Sequence, residues 1–270
     1  MRTSTLTILS LLIGFAAHSQ KLRLSTSSDS ALFYYYEGWR QVMDEGDYTA
    51  SEKAYRKMMS FDPDFTVGLS LLGRITRNLE ERLEIEKTLH TKRNSVVGDE
   101  RLLLDNYIGL VQLTNLRETD PEAAKIQLDK VFATGEKNLH AIVHRYRDEI
   151  YYKAEYIEVL HRNHGPQAAL DSMVWLLDQR QKEKPFLIGY AAHMEAEAGA
   201  FDQALARAKK LDHLFKGSNS PKPFVVYSDI YFQMGKLAEA EKYVTKALAL
   251  DPGNIDAQRL EKKIKAGMQK

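Results

Sequence analysis

The 270-residue chain contains no cysteine. That excludes disulfides, a thiol nucleophile, thiolate metal sites and lipidation at an export signal, so burial alone must hold the fold. Proline is scarce: 7 residues, at 63, 121, 166, 185, 221, 223 and 252, each between periodic segments rather than inside one. The alternating Val, Ile and Thr of β-strands is nearly missing. No Asn-x-Ser/Thr triplet occurs, so nothing points to N-glycosylation. Neither sign of charge dominates, with 38 basic side chains against 37 acidic ones. The bulk basic excess that nucleic acid or an anionic membrane surface requires is therefore absent. Gly-x-Ser-x-Gly, a phosphate-binding loop and a dinucleotide fingerprint are all missing, which argues against an enzyme.

What is present begins with "MRTSTLTILSLLIGFAAHSQ". Arg2 precedes an uncharged run from Leu6 to Ala17, and Ala17-His18-Ser19 places small residues where signal peptidases read. The run is 12 residues long, about 18 Å as a helix, whereas a bilayer core of roughly 30 Å needs about 20 residues. The expectation is a signal peptide over 1–19, cleaved after Ser19, and an exported, soluble mature chain in a bacterial periplasm or outside the cell. No integral span is expected in that mature chain. Residues 20–30, "QKLRLSTSSDS", read as a flexible linker.

From residue 31 the chain reads as helix after helix. Three segments align on their glycines: "GDYTASEKAYRKMMSFDP" from Gly46, "GAFDQALARAKKLDHL" from Gly199 and "GKLAEAEKYVTKALALDP" from Gly235. A glycine ends a first helix because the turn demands positive φ. Ala240 and Ala247 lie two turns apart on one face of the second helix, so it can approach the first closely. Asp251-Pro252 stops that helix. Gly46 with Pro63, Gly73, and Gly199 with Ala204 mark the same packing roles elsewhere.

This arrangement of Gly235, Ala240, Ala247 and Pro252 resembles the tetratricopeptide repeat family. The resemblance implies an all-α, right-handed superhelical solenoid of about six antiparallel helix pairs over 31–254, capped by a helix at 255–270. Units 32–65, 185–218 and 221–254 carry the pattern most fully; 66–99, 100–137 and 138–184 are divergent. In 66–99 the expected apolar stripe is Leu79, Leu83 and Leu89. In 138–184 a long helix precedes the turn "HGPQ". The cap shows one apolar stripe, Ala257, Leu260, Ile264 and Met268. Of the aromatic run "FYYYEGW", most rings are expected in helix interfaces.

The resemblance also implies a concave groove that takes a protein or peptide partner. Its register nominates Tyr36, Arg40, Arg74, Arg77, His193, Glu197, Asp229 and Gln233 as groove residues. Gathered arginines there suggest an acidic partner segment, unless Arg40 and Arg77 pair with Glu37 and Glu81 within helical reach. The function expected is a non-catalytic binding scaffold of the cell envelope, without cofactor. Two alternatives are an assembly subunit of an outer-membrane complex and a metal-dependent enzyme. The latter would use His140, His144, His161 and His164, although "HAIVH" lacks the glutamate of zinc peptidases.

The register has a direct test. Ala240→Leu should overpack the last helix pair and cost roughly 1–3 kcal/mol, whereas Ala249→Leu, off that face, should be milder. Thermal melts of the two variants check it, and equal losses would show the register to be wrong.

Overall fold

The computed structural model describes residues 21–269, and the prolines mark its joints. Pro121, Pro166 and Pro185 each open a helix, Pro221 and Pro223 stand at the start of another, and Pro63 and Pro252 occupy turns just past helix ends. Fourteen helices and no strand are found among the described residues. Helix α1 (Asp29–Trp39) runs on through a wider π-type segment, Arg40–Glu45, and pairs with α2 (Tyr48–Phe61). The next pairs are α3 (Thr66–Ile75) with α4 (Leu79–Lys92), and α5 (Gly98–Thr119) with α6 (Pro121–Arg145). Then come α7 (Ile150–His164) with α8 (Pro166–Leu176), the short α9 (Gln179–Lys182), and α10 (Pro185–Glu197) with α11 (Phe201–Leu214). Last are α12 (Lys222–Gln233) with α13 (Leu237–Leu250), and the cap α14 (Ile255–Met268). The fold is the expected all-α solenoid of six pairs and a cap.

Local chemistry accounts for the pairing. Gly46, Gly199 and Gly235 take φ of 69°, 79° and 74°, as the turn between paired helices requires. Ala204, Ala240 and Ala247 are fully buried, as are Ser51 and Met58 at matching places in the first pair. At Gly38 the close approach of α2 to α1 leaves no room for a side chain: an added Cβ would fall 2.1 Å from the Tyr55 ring. Ser51 Oγ donates to the Gly38 carbonyl at 2.8 Å, and in the last pair Ser228 Oγ donates to the Ala240 carbonyl at 2.7 Å. One large apolar cluster joins α1 to α10, and two smaller ones carry the core through α10–α12 and α12–α14. Each pair thus buries its apolar face against its neighbours.

Four expectations from the sequence meet a specific outcome. The signal segment 1–19 lies outside the described residues. Residues 21–28 do not behave as a loose linker: Leu22 and Leu24 are buried, Leu22 N–H donates to Glu149, and Ser25 donates to Glu100. The boundary at 137/138 falls inside α6, and the helix break comes instead at Tyr146–Glu149. In α4 the buried stripe is Arg82, Ile85 and Leu89, leaving Leu83 exposed. Arg82 earns that place by bonding Asn115, the Thr76 carbonyl and Glu118, which satisfy its buried guanidinium.

The superhelix then closes on itself. Asp251, in the turn after α13, accepts from Tyr48 N–H at 2.8 Å and Thr49 Oγ1 at 2.6 Å in the first turn of α2. Asn254 Nδ2 donates to the Gly46 carbonyl at 2.6 Å, and Ser220 Oγ to the Glu45 carbonyl at 2.7 Å. Asp44, on the π-type segment, accepts from Phe186 N–H at 3.3 Å, near the start of α10. Two carboxylates thus serve the unpaired amides of helix N-termini more than 140 residues away. Asp251→Ala should strand those α2 amides and cost about 2–4 kcal/mol. Urea titration measures the loss, and an unchanged midpoint would remove the closure from its structural role.

Candidate functional site

Closure turns the concave side inward, and its centre is polar. Tyr35 and Tyr152, both fully buried, share a hydrogen bond of 2.8 Å between hydroxyls. Tyr107 OH donates to Glu155 at 2.7 Å. Arg74 Nη1 lies 2.8 Å from the same carboxylate, off the line of a well-aligned hydrogen bond. Its guanidinium also stacks over the rings of Tyr107 and Trp39, at 4.7 and 5.4 Å. Burial works against the Arg74 charge, but Glu155, Tyr107 and Tyr55 outweigh it and raise its pKa further.

Around this centre lie three adjoining hollows of about 480, 330 and 380 Å³. Glu158 of α7 borders all three, and Lys222 of α12 borders two. Among the described residues neither has an ion partner within 4 Å, and both are half-buried. Burial is the main cause that pushes the Glu158 carboxyl up to about 8, with Glu155 and Asp256 adding to it. Burial likewise lowers the pKa of Lys222. Arg117, bordering the same space, is lowered by burial and by Arg259.

On the C-terminal side three consecutive first helices, α7, α10 and α12, bring polar side chains together. His161 Nε2 lies 2.9 Å from Glu197 Oε2, and His161 Nδ1 lies 2.8 Å from Tyr190 OH. His193 Nδ1 lies 2.6 Å from Asp229 Oδ2, which also accepts from Gln233 Nε2 at 2.9 Å. Burial lowers His161. Burial also opposes protonation of His193, but Asp229 and Glu197 prevail and raise it.

The eight groove residues suggested by the sequence therefore divide. His193, Glu197, Asp229 and Gln233 form one cluster on the inward face. Tyr36 is half-buried and donates to Glu149. Arg40 is occupied by Glu37 and Glu45. Arg74 faces inward but is held by Glu155. Arg77 does not reach Glu81, which pairs with Arg56; it donates instead to the Pro252 carbonyl at 2.8 Å, part of the closure. The three arginines are engaged within the chain, so they do not make an open acidic-segment site.

The four histidines also separate. His140 and His144 stack on α6 with ring centroids 4.1 Å apart, and His164 turns to Glu136 at 2.8 Å. His161 alone reaches the inward cluster. The sequence offers His161 only as a metal ligand beside His140, His144 and His164, and no groove position is assigned in the divergent unit 138–184. A signal did exist: His161 to Glu197 and His193 to Asp229 each span 36 residues, the interval between Gly199 and Gly235. Side chains one repeat apart fall side by side on neighbouring first helices.

Residues 195–264, from the end of α10 into α14, match the model of the tetratricopeptide repeat family. No curated protein and no solved structure matches the chain.

The raised carboxyl of Glu158 has a stability consequence. A folded pKa of about 8, above the ordinary carboxylate value, means the folded state holds a proton that the unfolded chain releases earlier. Stability from this group is full at low pH and falls as pH rises from about 4.5 to 8. Glu158→Gln, which mimics the protonated form, should match the parent near pH 5 and exceed it above pH 8, by on the order of 1–3 kcal/mol. Melts of both proteins across that range test this, and a gap that does not change with pH would contradict it.

Proposed function

We propose that this protein, a tetratricopeptide repeat protein, is a non-catalytic scaffold that binds a protein or peptide partner on the inward face of its C-terminal repeats. The observation that carries the reading is the convergence of His193, Glu197, Asp229 and Gln233. They stand at matching places on α10 and α12, and Glu197, Asp229 and Gln233 lie in the part of the chain that matches the family. Beside them lies the hollow of about 380 Å³, rimmed by Lys263 of α14. That volume takes a side chain or a short chain end rather than a long peptide, so the partner inserts a tip and lays the rest across α12 and α14. Such arrays bind through first-helix surfaces because those surfaces are rigid and line one side of the superhelix.

We place the protein in the bacterial cell envelope, on the strength of the N-terminal run that reads as a secretory signal. No helix among the described residues is long and apolar enough to cross a membrane, which agrees with a partner-binding role outside the bilayer.

Site-specific photo-cross-linking tests the binding face. A cross-linker at exposed Lys263, on the rim, should trap one discrete protein from envelope extracts. The same group at exposed Ala249, on the outer side of α13, should trap none. Equal capture at both positions, or capture at neither, would refute this binding face.

A further inference from the structure

We propose that His161, His193 and Glu197 form a binding site for one divalent transition-metal ion of the zinc class. Each offers a ligand atom, and all three atoms lie within 4.8 Å of one another. Glu197 Oε2 stands 2.9 Å from His161 Nε2 and 3.8 Å from His193 Nε2. Donors about 2.0–2.1 Å from a tetrahedral ion stand roughly 3.3 Å apart. The two observed separations bracket that value, so small side-chain rotations seat an ion without moving a helix.

The surroundings are those of a metal site rather than of a chance histidine contact. A ligating histidine needs its other ring nitrogen held by an oxygen, which fixes tautomer and orientation. Both histidines meet this requirement. His193 Nδ1 is 2.6 Å from Asp229, leaving Nε2 free to ligate. His161 Nδ1 is 2.8 Å from Tyr190 OH, and the hydroxyl serves as acceptor once Nε2 holds an ion. Asp229 is itself held by Gln233 at 2.9 Å. The rings pack on one another as well: Tyr190 lies against His193 in a near-parallel stack, and His161 meets both edge-on.

Access is open. The His193 and Glu197 side chains are 36% and 45% exposed, and His161 and Glu197 border the hollow of about 480 Å³. Three protein ligands leave at least one position for water or for a donor from a bound partner. Nitrogen-rich donors select zinc, cobalt or nickel over magnesium and calcium, which require oxygen. The proposal goes beyond the partner reading and does not depend on it, since it is tested on the isolated protein.

The experiment is isothermal titration of the chelator-stripped, dialysed full chain with Zn²⁺, and with Co²⁺ followed by visible absorption. One equivalent should bind, and excess Mg²⁺ should not displace it. Glu197→Gln and His193→Gln should each weaken binding at least 100-fold. Asp229→Asn should cost roughly 10–100-fold through loss of orientation. A double variant, His140→Gln with His144→Gln, should bind as the parent does. Circular dichroism melts confirm folding, and because Glu197 is on the surface its variant decides the question if another fails to fold. Absence of stoichiometric binding, or binding that survives Glu197→Gln and vanishes in the His140/His144 variant, overturns the proposal.

Discussion

The closure between the turn at Asp251–Asn254 and the chain at Asp44–Thr49 constrains everything else in the molecule. A repeat array usually gains stability only from nearest neighbours, so its ends are free. Here the last unit meets the first. The contact uses the Asp251 carboxylate on the N-terminus of α2, where amides have no helical partner and a negative charge is favoured. Such contacts are directional and short, so they fix the superhelical turn at one curvature. Apolar packing alone would tolerate a range of openings, because it is non-directional.

Closure explains why the interior is polar. First helices that would line an open groove now face one another across a small space. Residues that would meet water or a ligand must satisfy each other. Arg74 and Glu155 do so directly, and Tyr35, Tyr107 and Tyr152 complete the network. Glu158 and Lys222 do not, and burial shifts each toward its neutral form. An ionisable side chain left without a close partner, beside open volume, is destabilising unless something in that volume compensates it. The hollows are therefore where a partner's polar tip gains most, and this supports placing the binding face on α10, α12 and α14.

Legibility in the sequence followed locality. Turn glycines, small residues seven apart and stopping prolines act within one helix pair, and Gly235, Ala240, Ala247 and Pro252 were readable for that reason. Where a pair departs from the pattern, local signals mislead. The stripe of α4 includes Arg82 because Asn115 and Glu118, more than 30 residues on, accept its charge. Leu22 and Leu24 are buried, and the backbone beside them bonds Glu149 and Glu100, distant in sequence, so a Ser/Thr-rich stretch reads as a linker when viewed alone. The sequence nominates Arg40, Arg74 and Arg77 together as groove residues, and each is engaged within the chain. The Arg40–Glu37 pair is local, three residues apart on one helix, and is legible; the occupation of Arg74 by Glu155 and of Arg77 by the Pro252 carbonyl follows from how the array winds, which no pair motif encodes.

The histidine cluster makes the same point from the side of function. A zinc peptidase places its ligands one helical turn apart, so a motif search finds them. A solenoid has a second way to bring donors together: any two first-helix positions separated by one repeat become neighbours. His161 and Glu197, and His193 and Asp229, are each 36 residues apart, which in an irregular fold would carry no meaning. In an array of this period the spacing is a contact prediction. Each residue may be changed without disturbing the repeat signature, because the signature lies in the turns and the small packing positions, whereas the donors lie on the inward face. Architecture and site are thus written at separate positions of the same helices, and a sequence that announces its fold clearly can still hold its chemistry at a spacing only the fold reveals.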